Sequence, residues 1–537
     1  MGSGGAARGA GADRPRRRCF GLQSAALLLV AIAVGCVEPS GGSSPHPSAR
    51  DTGDTGLVGD SADSGDSAAA PEFDETVDVV VIGGGVAGLA AASEAGASGA
   101  RVVLFEREAT FGGAASLSGG LMLFSGSSEQ TAAGIVDSPT QLAAEWPAFT
   151  GGDVANPWFL TFASENVPRV HDWLATLGVR WDQPGGDESS GTTERVHPVA
   201  GGGPALVSAM LSAVPTEALR ASSTVSALVQ HRGRVVGVTW SDDAGEHSMG
   251  AGSVVVTTGG FLRDLARVEA AVPELALTQV TFASAPGADG NGHTMLEALG
   301  AGSENLQAIG FYAHGVPSPA NPREEIGARE IGEFPWVNLS AARFADETGL
   351  NSFLVGRTRA FQPEGLVWLV GDARLTDTEF VVLDGGRDSY DVEELCAAGV
   401  AFRGDALAAL ATELGLDPTA LHETVEEWNA ASRGEVVDPF RDADADAVRP
   451  VSTAPFYAVP VATSLAKNFG GIAVDLNGRV LDAAGQPLPG VYAAGELTGM
   501  CGGSIVGDYG FTGSLSCVVL GGRVAGEGAA VEALSLR

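Results

Sequence analysis

Apolar positions along this chain first gather in one short run, Leu22 to Val34, thirteen residues long. As a helix such a run reaches only about 20 Å, whereas a bilayer core takes about twenty residues to cross. From Val37 to Thr76 apolar residues thin out and Gly, Ser, Pro and Asp take over. That composition predicts a solvated acidic tether with an r.m.s. span of about 35 Å. The pattern then changes abruptly. Val77 to Ile82 is almost continuously apolar, as a parallel strand buried on both faces requires. Val86 to Ser98 reads as a helix of small residues, and Ala100 to Phe105 as a second strand ending at Glu106. Further on, "GSVVVTTGGFLRD" repeats the strand-then-glycine pattern, and "GRVLDAAGQPLPGVYAAGE" is β-rich and ends in Gly495-Glu496. The last stretch, "TGSLSCVVLGGRVAGEGAA", reads as a helix with Thr512 or Ser514 as its cap.

The glycines between the first strand and helix fall at Gly83, Gly85 and Gly88, and Glu106 follows Gly85 by 21 residues. Each has a physical task. Gly83 permits the tight turn, Gly85 lets backbone approach a pyrophosphate, and Gly88 lets helix and strand pack closely. The helix N-terminus offers free N–H groups to phosphate, and the strand-end acid accepts hydrogen bonds from a ribose. The spacing predicts a dinucleotide site. The extension "REATFGGAASLSGG", with Gly112-Gly113, Ser116 and Gly119-Gly120, resembles FAD-binding proteins, in which the chain turns back along the cofactor. Gly259, after the later strand, belongs to the same expected site.

Composition narrows the picture. A chain of 537 residues predicts two lobes. Its formal net charge of −35 argues against nucleic acid as a partner. Beyond Cys36 only Cys396, Cys501 and Cys517 remain, with no CxxC or CxxCH pattern, so neither a disulfide framework nor a bound haem is expected, and no metal ligands are assigned. Cys517 lies in an apolar helix pattern and reads as core.

The N-terminal run itself follows a basic segment (Arg14, Arg16, Arg17, Arg18) and reads as an export signal rather than a span. Ala33-Val34-Gly35-Cys36 resembles a bacterial lipobox, and Arg17-Arg18-Cys19-Phe20 resembles the twin-arginine address. The expectation is an exported protein anchored through lipidated Cys36, with the outer membrane favoured.

These segments, with "RVHPVAGGGPALVSAML", "VNLSAARFADET", "APFYAVP" and "NFGGIAVD", resemble the flavoprotein family of fumarate reductase and succinate dehydrogenase, whose relatives include tricarballylate dehydrogenase, urocanate reductase and 3-ketosteroid dehydrogenases. The resemblance implies an α/β fold: a Rossmann-type FAD-binding domain split by an α+β capping domain. The expected boundaries are 1–36 signal, 37–76 linker, 77–309 first part of the FAD-binding domain, 310–455 cap and 456–537 second part. It also implies that Glu106 binds the adenosine ribose and that Glu496 lies by the flavin ribitol. Gly470-Gly471, Gly513-Ser514 and Leu515 should border the isoalloxazine, with the last helix facing its N1–O2 edge. Gly113 stands where succinate dehydrogenases carry the histidine that tethers FAD, so the cofactor is expected to be non-covalent.

The implied chemistry is hydride transfer between flavin N5 and a CH–CH or C=C bond of a small acid or steroid-like substrate, with a protein group moving a proton. Several family residues are replaced. Asn351 stands at the catalytic arginine, Asn468-Phe469 where a histidine is usual, and the loop "MCGGSIVGDYGFTG" lacks its arginine. Fumarate reduction by the usual residues is therefore not expected. The catalytic candidates left are Tyr509, His314, Tyr312 and Arg343, with His197 as a structural residue of a flavin-side loop; Lys467, the single lysine of the chain, reads first as a solvent-exposed lysine and otherwise as a cation near the flavin that would suit an anionic substrate. An external electron donor or acceptor is implied. The alternative is an exported flavin-binding lipoprotein that carries electrons without turnover.

Overall fold

The computed structural model describes residues 70–186, 189–349, 352–382, 389–441, 448–503, 505–507 and 509–537. The leader, Cys36 and most of the tether lie outside these residues. The end of the expected tether belongs to the folded body: Phe73 lies against Gly237 and Gly250, and Asp74 accepts from the Ser248 amide at 2.7 Å.

The first strand, β1 (Glu75–Ile82), is followed by helix α1 (Val86–Ala97) and strand β2 (Val102–Phe105). A short strand β3 (Leu121–Leu123) leads to helix α2 (Pro139–Thr150), and β4 (Val196–Pro198) returns to pair with β3. Strand β5 (Gly245–Val256) lies parallel to β1, with Val80 opposite Val254, while β2 flanks β1 on its other side. With partners on both edges and layers on both faces, β1 has five buried residues in succession, which is why its sequence is continuous rather than alternating.

The cap follows. Strand β6 (Ile309–Pro317) and helix α3 (Phe353–Ala360) lie against strand β7 (Ala462–Asn468), which pairs antiparallel with β6. The cap's core gathers Trp336, Leu369, Trp428, Tyr457 and Val459 away from the core around β1. The strand Phe456–Pro460 pairs with cap strands 367–371 and 402–404, so sheet pairing carries the cap past the boundary expected at 455. Strand β8 (Pro487–Ala493) then returns to the first domain, parallel to β5.

Helix α4 (Leu515–Ser535) closes the domain against α1. Small residues make the closure possible. A Cβ on Gly522 would lie 2.3 Å from the Ala87 carbonyl oxygen, and one on Gly526 2.3 Å from that of Ala91. The two helices approach backbone to backbone, which explains the Ala/Gly composition of both. Among the described residues no helix is long and apolar enough to cross a membrane.

Candidate functional site

The loop from β1 into α1 is built as the glycine spacing predicts. Gly83 has φ +101°, and a Cβ on Gly88 would sit 1.9 Å from the Gly83 carbonyl oxygen. At Gly85 the same added atom would meet nothing within 4 Å, and no side chain caps α1 there. The first amides of α1 thus face open space, as a pyrophosphate cradle requires. Gly112 runs beside this loop, its amide donating to Gly84 O at 2.8 Å, and Gly113 (φ +50°) follows. Ser116 donates to Gly113 O at 2.7 Å and holds that turn. Gly120 packs against Gly202 and Gly203, a Cβ on Gly119 would just reach Leu121 at 4.0 Å, and Gly259 borders open space.

Glu106 is buried at the end of β2. Its carboxylate accepts from the Gly84 amide at 2.7 Å and the Glu108 amide at 2.9 Å. Two amides leave further lone pairs on a carboxylate that can take about four hydrogen bonds, so the acid that holds the glycine loop can also receive ribose hydroxyls. Open amides, crowded glycines and this acid together fit FAD.

At the other end of the cofactor site Glu496 accepts from the Asn468 amide at 3.0 Å. Burial pushes its carboxyl up to about 7, against the opposing pull of that amide and of Lys467. The Asn468 side chain donates to Gly470 O at 2.7 Å and to Glu496 O at 2.9 Å, tying the glycine pair to the acid. Ser514 is the N-cap residue of α4, yet its side chain caps no amide; its oxygen accepts from Lys467 Nζ at 3.2 Å. The capping role expected of Ser514 is thus replaced by a tertiary contact, and Leu515 opens the helix behind it. Backbone bridges bring Met122 opposite Ser514 and His197 opposite Met122. His197 donates from Nδ1 to Arg195 O and accepts at Nε2 from Ser127, both at 2.7 Å, with burial pulling its pKa to about 4. These two bonds make it a strut between the segments of Ser127 and Arg195.

Near Ser514 a cluster of side chains gathers from distant segments. Lys467 Nζ lies 5.2 Å from the ring centre of Phe353. Tyr312 stacks on that ring at 5.0 Å, and Phe469 meets it edge-on at 5.7 Å. Lys467 makes no ion pair among the described residues. A cavity of about 340 Å³ adjoins this cluster, lined by Phe149, Ser352, Phe353, Leu354 and Tyr509, with Glu145 at its wall. Of the candidates expected from sequence, Tyr312 stacks on Phe353, and Tyr509 lines the same cavity as Phe353. For His314 only the backbone, within β6, is among the described residues; Asn351 lies outside them.

Arg343 is placed differently from its catalytic expectation. Its guanidinium donates to both oxygens of Glu347, at 2.6 and 2.7 Å, and to Asp438 at 2.9 Å. It also lies 4.6 Å from the Trp428 ring centre. With its donors committed inside the cap core, Arg343 organises the cap and is not available to substrate.

The parallel sheet, open glycine loop and strand-end acid define a dinucleotide-binding flavoprotein. Residues 78–507 match the FAD binding domain family model, and the chain belongs to that family; it is a FAD-dependent oxidoreductase. It is 29% identical over 473 residues to a fumarate reductase (cytochrome) of Shewanella frigidimarina, covering 86% of this chain and 78% of that protein. To urocanate reductase of Eggerthella lenta it is 28% identical, over 86% of this chain and 76% of the other. Among solved structures, a 3-ketosteroid-Δ4-(5α)-dehydrogenase of Rhodococcus jostii RHA1 superposes with a TM-score of 0.64 at 25% identity, covering 86% of this chain and 99% of that one. The open conformation of a flavocytochrome c3 fumarate reductase also superposes with a TM-score of 0.64 at 25% identity, over 86% of this chain and 79% of the other.

Phe353, Glu145 and the bridging role of Asn468 were not foreseen. Phe353 opens a helix capped by Ser352, whose Oγ accepts from the Val355 amide at 3.3 Å. That capping pattern is local and visible in sequence; the ring's place beside Lys467 is not.

Proposed function

We propose that this enzyme moves a hydride between non-covalently held FAD and a C–C bond of a small substrate, next to a carboxylate or carbonyl group. The names of its relatives (fumarate reductase, urocanate reductase, 3-ketosteroid dehydrogenase) support that reaction class. Bound FAD supplies the hydride donor or acceptor. The observation that carries the reading is Lys467, a cation with no ion pair among the described residues, held on Ser514 at the start of α4 and facing the Tyr312–Phe353 stack. In this half-buried position Lys467 receives the anionic head of the substrate and stabilises charge that builds there during reaction. Tyr509, on the adjoining cavity wall, moves the proton at the neighbouring carbon. Tyr312 and His314 are the further substrate-side residues, and a separate donor or acceptor exchanges electrons with the flavin.

An anaerobic absorbance titration of the purified full-length protein tests this. Oxidised and pre-reduced protein are mixed in turn with dicarboxylates, tricarballylate, urocanate, aryl acrylates and 3-ketosteroids. Bleaching or restoration of the flavin band by one compound, lost in K467M, is the expected result. A flavin band that none of them changes overturns the proposal.

Export and attachment through lipidated Cys36 are proposed from the leader alone. Changing Arg17 and Arg18 to Lys blocks export of the flavoprotein, and C36S releases it from the membrane fraction. Normal export of the first variant removes the twin-arginine reading; retention of the second removes the anchor.

A further inference from the structure

Behind the cofactor site a buried circuit of hydrogen bonds runs through one histidine. His197 gives its Nδ1 hydrogen to Arg195 O at 2.7 Å, and its Nε2 accepts from Ser127 Oγ at 2.7 Å. Ser127 Oγ in turn accepts from the Gln130 amide at 3.1 Å, and the Gln130 side chain donates to Asp137 at 3.0 Å. Both Asp137 oxygens accept from the Arg195 guanidinium, each at 2.9 Å, which closes the circuit. Ser127, Gln130, Arg195 and His197 are all wholly buried. A carbonyl can only accept and the hydroxyl hydrogen needs an acceptor, so the circuit is complete only with His197 neutral and its hydrogen on Nδ1.

A second histidine stands close by in the opposite state. Both ring nitrogens of His171 face carboxylates, Asp172 at 2.8 Å and Glu129 at 2.6 Å. Carboxylates only accept, so both nitrogens donate and this ring is an imidazolium, stacked on Trp181 at 5.2 Å. The two histidine rings are 6.1 Å apart, and Phe124 packs edge-on against each at 5.2 Å. Among the described residues the charged groups that face His197 are His171, Glu129, Asp137 and the Arg195 guanidinium. Burial and the charge on His171 pull the ring below its ordinary 6.5, to about 4, against the Arg195 carbonyl, Glu129 and Asp137.

The circuit is fixed to the cofactor site through the β3–β4 hairpin. His197 pairs with Met122, and Met122 bridges Ser514 at the start of α4. The Leu123 amide donates to Gly513 O at 3.0 Å, and the Val199 amide to Gly120 O at 3.1 Å. One hairpin thus holds both the glycine extension and the approach to α4.

We propose that His197 is a positioning residue of the cofactor site and makes flavin retention sensitive to acid: its neutral ring keeps the hairpin closed, and a proton at Nε2 opens it and releases FAD. The added N–H confronts the Ser127 hydroxyl, which must turn its hydrogen away, and it puts a second positive charge 6.1 Å from His171. Protons therefore favour the open hairpin. Retention is complete above about pH 6.5 and fades as pH falls toward 4. The inference concerns cofactor retention and does not depend on the substrate proposed above.

The test takes the full-length holoprotein from about pH 7 to about pH 3.5. Free FAD is measured by fluorescence after ultrafiltration, and far-UV circular dichroism follows the fold. Wild type is expected to release flavin while its helix signal stays, and to take it up again at neutral pH. H197Q keeps a donor and an acceptor on its amide but binds no proton, so its midpoint for release should lie at least about one pH unit lower. S127A frees Nε2 and should raise the midpoint by about half a unit or more. The carboxylates are common to all three proteins, so the differences isolate His197. Should H197Q not fold, the S127A shift decides by itself. Equal midpoints in wild type and H197Q, an unmoved or lowered midpoint in S127A, or flavin lost only together with the helix signal overturns the inference.

Discussion

The two ends of the active cleft are built from different materials. The cofactor end is backbone: open amides at Gly85, crowded glycines at Gly83 and Gly88, and one acid that grips the loop through amide hydrogen. The end proposed for substrate is side chain: Lys467, Phe353, Tyr312 and Tyr509, drawn from segments far apart in the chain. Gly83 and Gly88 tolerate no added atom, because the neighbour that must yield is itself main chain. Side-chain sites can be rebuilt by substitution while the fold stands. Members of one flavoprotein family can thus share the first end and differ at the second.

The largest expected effect comes from breaking the backbone end. G88V forces a side chain into the Gly83 carbonyl, and the purified protein should carry less than a tenth of its flavin, with a lowered melting temperature. G85A sharpens the contrast, since its methyl group meets no protein atom: flavin content falls while the apoprotein melts as before. If G85A retains full flavin, the cradle lies elsewhere.

R343M comes next. It strands Glu347 in the cap, while Asp438 keeps Arg441, and urea unfolding should show a loss of about 3–5 kcal/mol. Because the Arg343 donors are committed to Glu347 and Asp438, the surviving folded fraction should keep its rate per bound flavin. A rate that falls with normal stability would return Arg343 to the catalytic group.

K467M tests the side-chain end. Flavin stays bound, and the responding substrate should bleach or restore it about 10²–10³-fold more slowly. An unchanged rate places the anion holder on another residue.

The smallest effect is a pH slope. The carboxyl of Glu496 is raised from 4.5 to about 7 on folding, so between those values the folded apoprotein holds more protons than the unfolded chain. Its contribution is full below pH 4.5 and is lost as pH rises through 7. E496Q removes that loss, so its stability relative to wild type should climb over this window by up to about 1.4 kcal/mol per pH unit. His197, held near 4, works in the opposite direction between about 4 and 6.5 and flattens the wild-type profile. A constant difference between E496Q and wild type would mean that Glu496 titrates normally.

The same contrast separates what is legible in the sequence from what is not. The strand–glycine–helix–strand unit and Glu106 lie within 32 consecutive residues, Glu75 to Glu106, and obey local rules, so their positions followed from spacing. Arg343 shows the opposite case. Its "RF" motif is visible, but the partner that removes it from chemistry, Asp438, stands 95 residues later. Ser514 has the residue type and position of a cap, and only the arrival of Lys467 from β7 diverts its hydroxyl. Glu145 looks like any acid on a helix until Arg195 and Asp137 close around it.

The close seam between α1 and α4 also bears on the order in which the molecule can be made. Residues 86–97 leave the ribosome early, but the glycines that cover Ala87 and Ala91 are at 522 and 526, so a nascent chain stopped before Leu515 leaves that helix face bare. The central sheet likewise lacks β8 until residue 493 has been added. At about 5–20 residues per second the opening glycine loop waits tens of seconds for its last support, while the cap core, complete by Val461, can form sooner. Cofactor capture is therefore an event of the finished chain. Stalled nascent chains ending at residue 510 should protect the cap from protease and bind no flavin.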